Sequence, residues 1–139
     1  FGNNYNIVQG TWAANYDYSD QTDYDNSLLS SAGYIENTTS TDNDEIKWSN
    51  TILDSGTYTI KIVYVVNPDG GIAEILYGLS SIGKIDNYAN STLWNRTISF
   101  SYSLTNRTTA DFRLKVTGKN TSSSNYKIRF SRLDISKTS

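Results

Sequence analysis

Trp94-Asn95-Arg96-Thr97-Ile98-Ser99-Phe100-Ser101-Tyr102-Ser103-Leu104 is the stretch that decides the fold. Side chains of a strand point alternately to opposite faces, so strict alternation marks a half-buried strand. Trp94, Ile98, Phe100, Tyr102 and Leu104 share one face, interrupted only by Arg96, and Asn95, Thr97, Ser99, Ser101 and Ser103 share the other. The next segment repeats the pattern, with Ala110, Phe112, Leu114 and Val116 inward and Asp111, Arg113, Lys115 and Thr117 outward. Upstream, Tyr58, Ile60, Ile62, Tyr64 and Val66 form a third inward row, preceded by Ile46, Trp48 and Ile52 across the turn Asp54-Ser55-Gly56. Near the C-terminus Tyr126, Ile128 and Phe130 share a face, then Leu133 and Ile135 resume one residue out of phase, which predicts a β-bulge near Ser131-Arg132.

Turn signals divide the rest. Asn67-Pro68-Asp69-Gly70-Gly71 is a turn, Gly78 and Gly83 bracket another between strands at 72–77 and 82–86, and residues 118–125 form a polar loop. No stretch has helical period. One Pro, 11 Tyr and no Met among 139 residues complete a β-sheet composition. The expected fold is all-β: a two-sheet antiparallel β-sandwich or jelly roll of about eight or nine strands, in one domain. Residues 32–139 form the expected sandwich core, and residues 1–31 an N-terminal strand segment open to exchange with a neighbouring subunit.

Asp44-Glu45-Ile46, Ser55-Gly56-Thr57-Tyr58-Thr59, Ile82-Gly83-Lys84-Ile85-Asp86 and the run Val116 to Tyr126 through Gly118-Lys119-Asn120-Thr121-Ser122-Ser123-Ser124-Asn125 resemble β-sandwich modules of tailed-phage structural and tail-associated proteins and of virus-like sequences. The Gly-Thr-Tyr-Thr turn and its strand are also similar to carbohydrate-binding modules of galactose-binding-like fold. The resemblance covers about residues 32–136. It implies a non-enzymatic subunit or decoration module of a virion or extracellular filament, with surface glycans as contacts; the alternative it implies is a free carbohydrate-binding module.

The chain has no His and no Cys, which removes Ser-His-Asp and Cys-His nucleophiles, thiolate metal sites and disulfides. No phosphate-cradling glycine motif is present, and the chain reads as a non-enzyme. The longest apolar run, Ile62 to Val66, is too short to insert in a membrane. Phe1 in place of an initiator Met implies a removed leader or a slice of a longer polypeptide. Net charge is −2, but residues 1–54 hold nine acids against Lys47 alone, while residues 95–139 hold nine bases against Asp111 and Asp134. That asymmetry points to pairing, within one subunit or between neighbours; nucleic acid is not an expected partner.

Sugar rings stack on aromatic faces while neighbouring Asn and Asp bond their hydroxyls. Tyr16, Tyr18, Tyr24 and Tyr88, which lie among turn residues, with Asp86 and Asn87, are the carbohydrate-binding candidates, whereas Trp48 and Trp94 are in phase with the core. Asp42, Asp44 and Glu45 offer hard oxygens for a structural calcium at a strand start, against the plainer reading of a solvated loop. Tyr5, Ile7, Val8 and Trp12 are the candidate anchors of an added strand in a homo-oligomer or filament. Sequons stand at Asn37, Asn90, Asn95, Asn106 and Asn120, near the roughly four that chance gives at this composition. The Asn/Ser/Thr-rich surface suggests an extracellular or virion-surface place.

Overall fold

A computed structural model describes residues 5–15 and 34–139. Among these, ten strands form two five-stranded sheets in which every pairing is antiparallel. The strands are β1 (Asn6–Gln9), β2 (Trp12–Asn15), β3 (Tyr34–Asn37), β4 (Glu45–Leu53), β5 (Gly56–Val66), β6 (Gly71–Tyr77), β7 (Ser80–Asp86), β8 (Leu93–Leu104), β9 (Thr108–Lys119) and β10 (Arg129–Lys137). The first sheet runs β1-β4-β9-β6-β7 and the second β2-β3-β10-β5-β8. The fold is the expected β-sandwich, with no helix among the described residues.

The core follows the alternating rows. Ile46, Trp48, Tyr58, Ile60, Ile62, Phe112, Leu114, Val116, Ile128, Phe130 and Leu133 are buried in one cluster between the sheets, with Phe100 and Tyr102 half-buried against it. Trp48 meets Phe112 and Phe130 edge-on, at 6.5 and 6.0 Å between ring centres, an arrangement the aromatic quadrupole favours. The bulge expected near Ser131 is present: β10 slips by one residue against β5 between Phe130 and Arg132.

Two other phase slips alter the inward rows. β4 shifts register against β9 between Trp48 and Thr51, and Asn50 takes the left-handed conformation (φ 53°) that Asn tolerates better than most residues. Ile52, expected inward, is therefore 54% exposed, and Leu53 is buried in its place. β8 likewise shifts against β5 where Arg96 and Leu93 oppose Tyr64 and Val66. Trp94 consequently leaves the main core and joins Tyr34 and Val65 in a second apolar cluster, its ring centre 5.6 Å from that of Tyr34. Gly83 is not a turn residue but lies within β7, where a Cβ would overlap the ring of Phe100.

The charge asymmetry is met within one chain. Arg113 on β9 forks onto Glu45 of β4 through Nε to Oε2 at 2.7 Å and Nη2 to Oε1 at 3.2 Å. Arg129 on β10 donates to Glu36 of β3 at 3.0 Å, and Arg107 lies 3.5 Å from Asp54. The acidic early strands sit beside the basic late ones because β4 pairs with β9 and β3 with β10. In this chain β1 pairs with β4 and β2 with β3. Trp12 is buried and donates its Nε1–H to Gln9 O at 3.0 Å, Tyr5 packs on the core, and Ile7 and Val8 on the edge strand are about half exposed.

Candidate functional site

Antiparallel connectivity brings five loops to one end of the sandwich: Gly10–Thr11, Thr38–Asp44, Asn67–Gly70, Asn87–Thr92 and Asn120–Ile128. Loops in that position need fixed backbones to present a constant surface, and here each is tied to another. Asn67 is the hub: its N–H donates to Asn87 O at 2.9 Å, its carbonyl accepts from Ala89 N at 3.2 Å, and its Nδ2 donates to Thr92 Oγ1 at 3.1 Å. Lys127 N donates to Asp69 O, and Ser124 N to Pro68 O, at 2.9 and 3.1 Å. Gly70 presses so close to the Asn87 carbonyl that a Cβ there would fall on it, so this turn admits only glycine without rebuilding.

One buried and one half-buried polar centre lock the arrangement from beneath. Asn37 donates from Nδ2 to Asp44 Oδ2 at 3.0 Å and to Tyr126 O at 2.9 Å, and its Oδ1 accepts from Ile128 N at 2.7 Å. Arg129 donates to Glu36 and, through Nη1, to Asp69 Oδ1, each at 3.0 Å. Burial opposes the Arg129 charge, but the hydrogen bond and charge of Asp69, with that of Glu36, outweigh it and hold its pKa above the usual guanidinium value.

Of the sequence-predicted sugar contacts, Asp86, Asn87 and Tyr88 come together in the β7–β8 loop. Asp86 is exposed, its Oδ1 accepting from Tyr88 N and its Oδ2 from Asn120 Nδ2, both at 3.0 Å. Tyr88 is half-buried beside the Asn67 hub. Asn87 is a correction: it is buried, and its amide donates to the Val65 and Arg129 carbonyls, so it holds the loop and does not face a ligand. Tyr16, Tyr18 and Tyr24 lie outside the described residues.

Tyr126 packs against the main core, as its phase indicated, and also reaches the loops at this end. It precedes β10, is half-buried, and lies under Lys119 Nζ at 5.8 Å from the ring centre. The Ser-rich loop before it was the available signal, since a strand cannot begin until that loop closes. Exposed Asn90, Ser91, Ser122, Ser124 and Asn125 complete the surface.

The calcium candidates are not brought together. Asp44 is buried and its Oδ2 accepts from Asn37, from Thr39 Oγ1 at 2.7 Å and from Thr41 N at 2.9 Å. Glu45 is held by Arg113, and Asp42 accepts from Asn43 N. Among the described residues no three acids converge. Of the sequons, Asn90 and Asn106 are exposed, Asn120 is partly so, and the backbone of Asn95 lies in β8. Asn37 is 0% exposed with its amide fully engaged, so it is no glycan acceptor in the folded chain.

This end of the molecule offers two tyrosine rings amid rigidly held hydroxyl and amide groups, a combination suited to a polar ligand with an apolar face. Solved structures share the fold. The chain overlays a Paenibacillus xanthan lyase with TM-score 0.70 at 23% identity, covering 96% of this chain and 12% of that one. A family 35 carbohydrate-binding module from an environmental isolate gives TM-score 0.61 at 17% identity, covering 96% and 91% of the two chains. The C-terminal family 6 module of the laminarinase LamC from Zobellia galactanivorans gives 0.53 at 17%, covering 78% and 84%. No family model and no curated protein matches the sequence. The class defined is thus a β-sandwich of the architecture seen in carbohydrate-binding modules. The expected kinship with phage modules gains no support from these likenesses.

Proposed function

We propose that the chain is a non-catalytic carbohydrate-binding module, the alternative of the two readings the sequence offered, and that its glycan site is the loop end around Tyr88 and Tyr126. The observation that carries this is the nearly complete mutual coverage, 96% of this chain and 91% of that one, with a structure named as a carbohydrate-binding module. The tied loops agree with it: a site that is already rigid loses little entropy when it engages a flexible polysaccharide. Because the chain matches only a small part of the xanthan lyase, the reading extends to attachment beside an enzyme in a longer polypeptide and to an extracellular place of work. Retention on a panel of soluble and insoluble polysaccharides tests it. Saturable binding to at least one is the expected result, with reducing ends left unreleased; binding to none across plant, algal and bacterial polysaccharides removes the proposal.

A further inference from the structure

At the opposite end of the sandwich, where β6 turns into β7 through Gly78 and Leu79, an open pocket of about 510 Å³ is lined by Asn50, Gly78, Leu79, Thr109, Ala110, Asp111 and Arg113. Its walls are fixed. Lys47 Nζ donates to Asp111 Oδ2 and Asn50 N to Oδ1, both at 3.1 Å. Gly78 N donates to Asp111 O at 2.8 Å, and Arg113 Nη1 donates to Gly78 O at 2.9 Å while its other groups fork onto Glu45. Three of the five guanidinium N–H groups are thereby used, which leaves two to donate. The Asn50 carboxamide has no protein partner among the described residues, and the left-handed backbone at the β4 bulge holds that residue on the pocket wall. Thr109 is exposed, and Leu79, 95% exposed at the tip of a tight turn, forms an apolar lip beside the Ala110 wall.

We propose that this pocket is a second glycan subsite, taking one neutral sugar unit at a chain end or branch. Neutral, because Asp111 and Arg113 are each already paired with an opposite charge on β4, so a charged sugar finds no unmatched partner. A sugar, because its lining sets preorganised donors and acceptors around a small apolar surface. Its ligand class rests on the glycan reading above; its position does not. Two subsites at opposite ends allow one module to bridge two polysaccharide chains.

The test is amide chemical-shift mapping of the intact chain with glucose, galactose, mannose and xylose, galacturonate as the charged control, and short oligomers of each. Asn50→Gly, which suits the left-handed backbone, and Leu79→Ser remove the contacts while leaving the fold. Expected are shifts at Asn50, Leu79 and Ala110 with a neutral sugar, weakened about tenfold or more in the double variant. Shifts confined to residues 87–92 and 120–126 overturn the pocket and leave the loop site standing; shifts at the pocket alone do the reverse. Shifts at neither remove both, and a preference for galacturonate, or for an unrelated peptide tested alongside, overturns the neutral-sugar assignment.

Discussion

Replacing Asn37 with Ala removes three hydrogen bonds from a residue with no exposed surface: those to Asp44 Oδ2 and Tyr126 O, and that from Ile128 N. Asp44 keeps Thr39 and Thr41 as donors, but the Ile128 N–H and the Tyr126 carbonyl stay in the interior without the amide. A made hydrogen bond contributes about 0.5–1.5 kcal/mol net, and a stranded buried group costs about 1–3 kcal/mol. The expected loss is therefore about 3–5 kcal/mol, a large share of the roughly 5–15 kcal/mol that holds a domain together. Urea melts read it directly. With a slope near 2 kcal/mol per molar, the midpoint should fall by about 1.5–2.5 M. Asn37→Asp is the sharper companion, because it keeps an acceptor for Ile128 but sets a second carboxylate against Asp44, so its deficit should be larger at neutral than at acid pH. A midpoint for Asn37→Ala within about 0.5 M of the parent refutes the claim that this amide pins the β3–β4 loop to the β9–β10 loop.

Phe112→Ala should cost about 3–5 kcal/mol and half-exposed Phe100→Ala clearly less; equal losses in urea would contradict the assigned core. Glu45→Gln removes the charge opposite the Arg113 fork and should cost about 2–4 kcal/mol, while adding Arg113→Met should cost less than the two changes summed, as a double-mutant cycle will show. The Asn50 amide first, and Lys47 next, hold the Asp111 carboxyl below the ordinary range. Its stabilising contribution is present above the unfolded value of about 3.9 and is lost as pH falls through the lower folded value. Asp111→Asn should thus lower stability across the neutral range, with the deficit closing as pH falls below about 4, so that the acid limb is flatter than the parent's; an unchanged profile argues against the Asn50–Asp111 contact.

What the sequence disclosed is what alternation encodes. The rows on β5, β8 and β9 and the slip at Ser131 were legible because each strand carries long apolar runs on a two-residue period. Ile52 and Trp94 were misplaced for a common reason: bulges at Asn50 and opposite Val65 move the phase within a strand, and no residue in Trp48–Thr51 announces the shift except an Asn able to turn left-handed. Asn37 and Asn87 read as a surface sequon and a loop ligand because burial of a short amide depends on partners 91 and 42 positions away. Asp44 and Glu45 similarly read as free oxygens until β9 supplied an arginine and the loop its own donors. The glycan surface was legible only in part, since Tyr88 and Asp86 are neighbours in sequence whereas Tyr126 joins them through loop closure.

Affinity electrophoresis through gels containing each polysaccharide, comparing the parent chain with Tyr88→Ala and Tyr126→Ala, reads glycan binding at the loop end. Retardation of the parent in at least one gel is expected, with loss of about tenfold or more in affinity when either ring is removed; the urea midpoint should stay close to the parent for Tyr88→Ala and fall for Tyr126→Ala, whose ring also packs on the core. Retardation equally strong in both variants would contradict a site at the loop end, and free migration of the parent in every gel would contradict glycan binding itself.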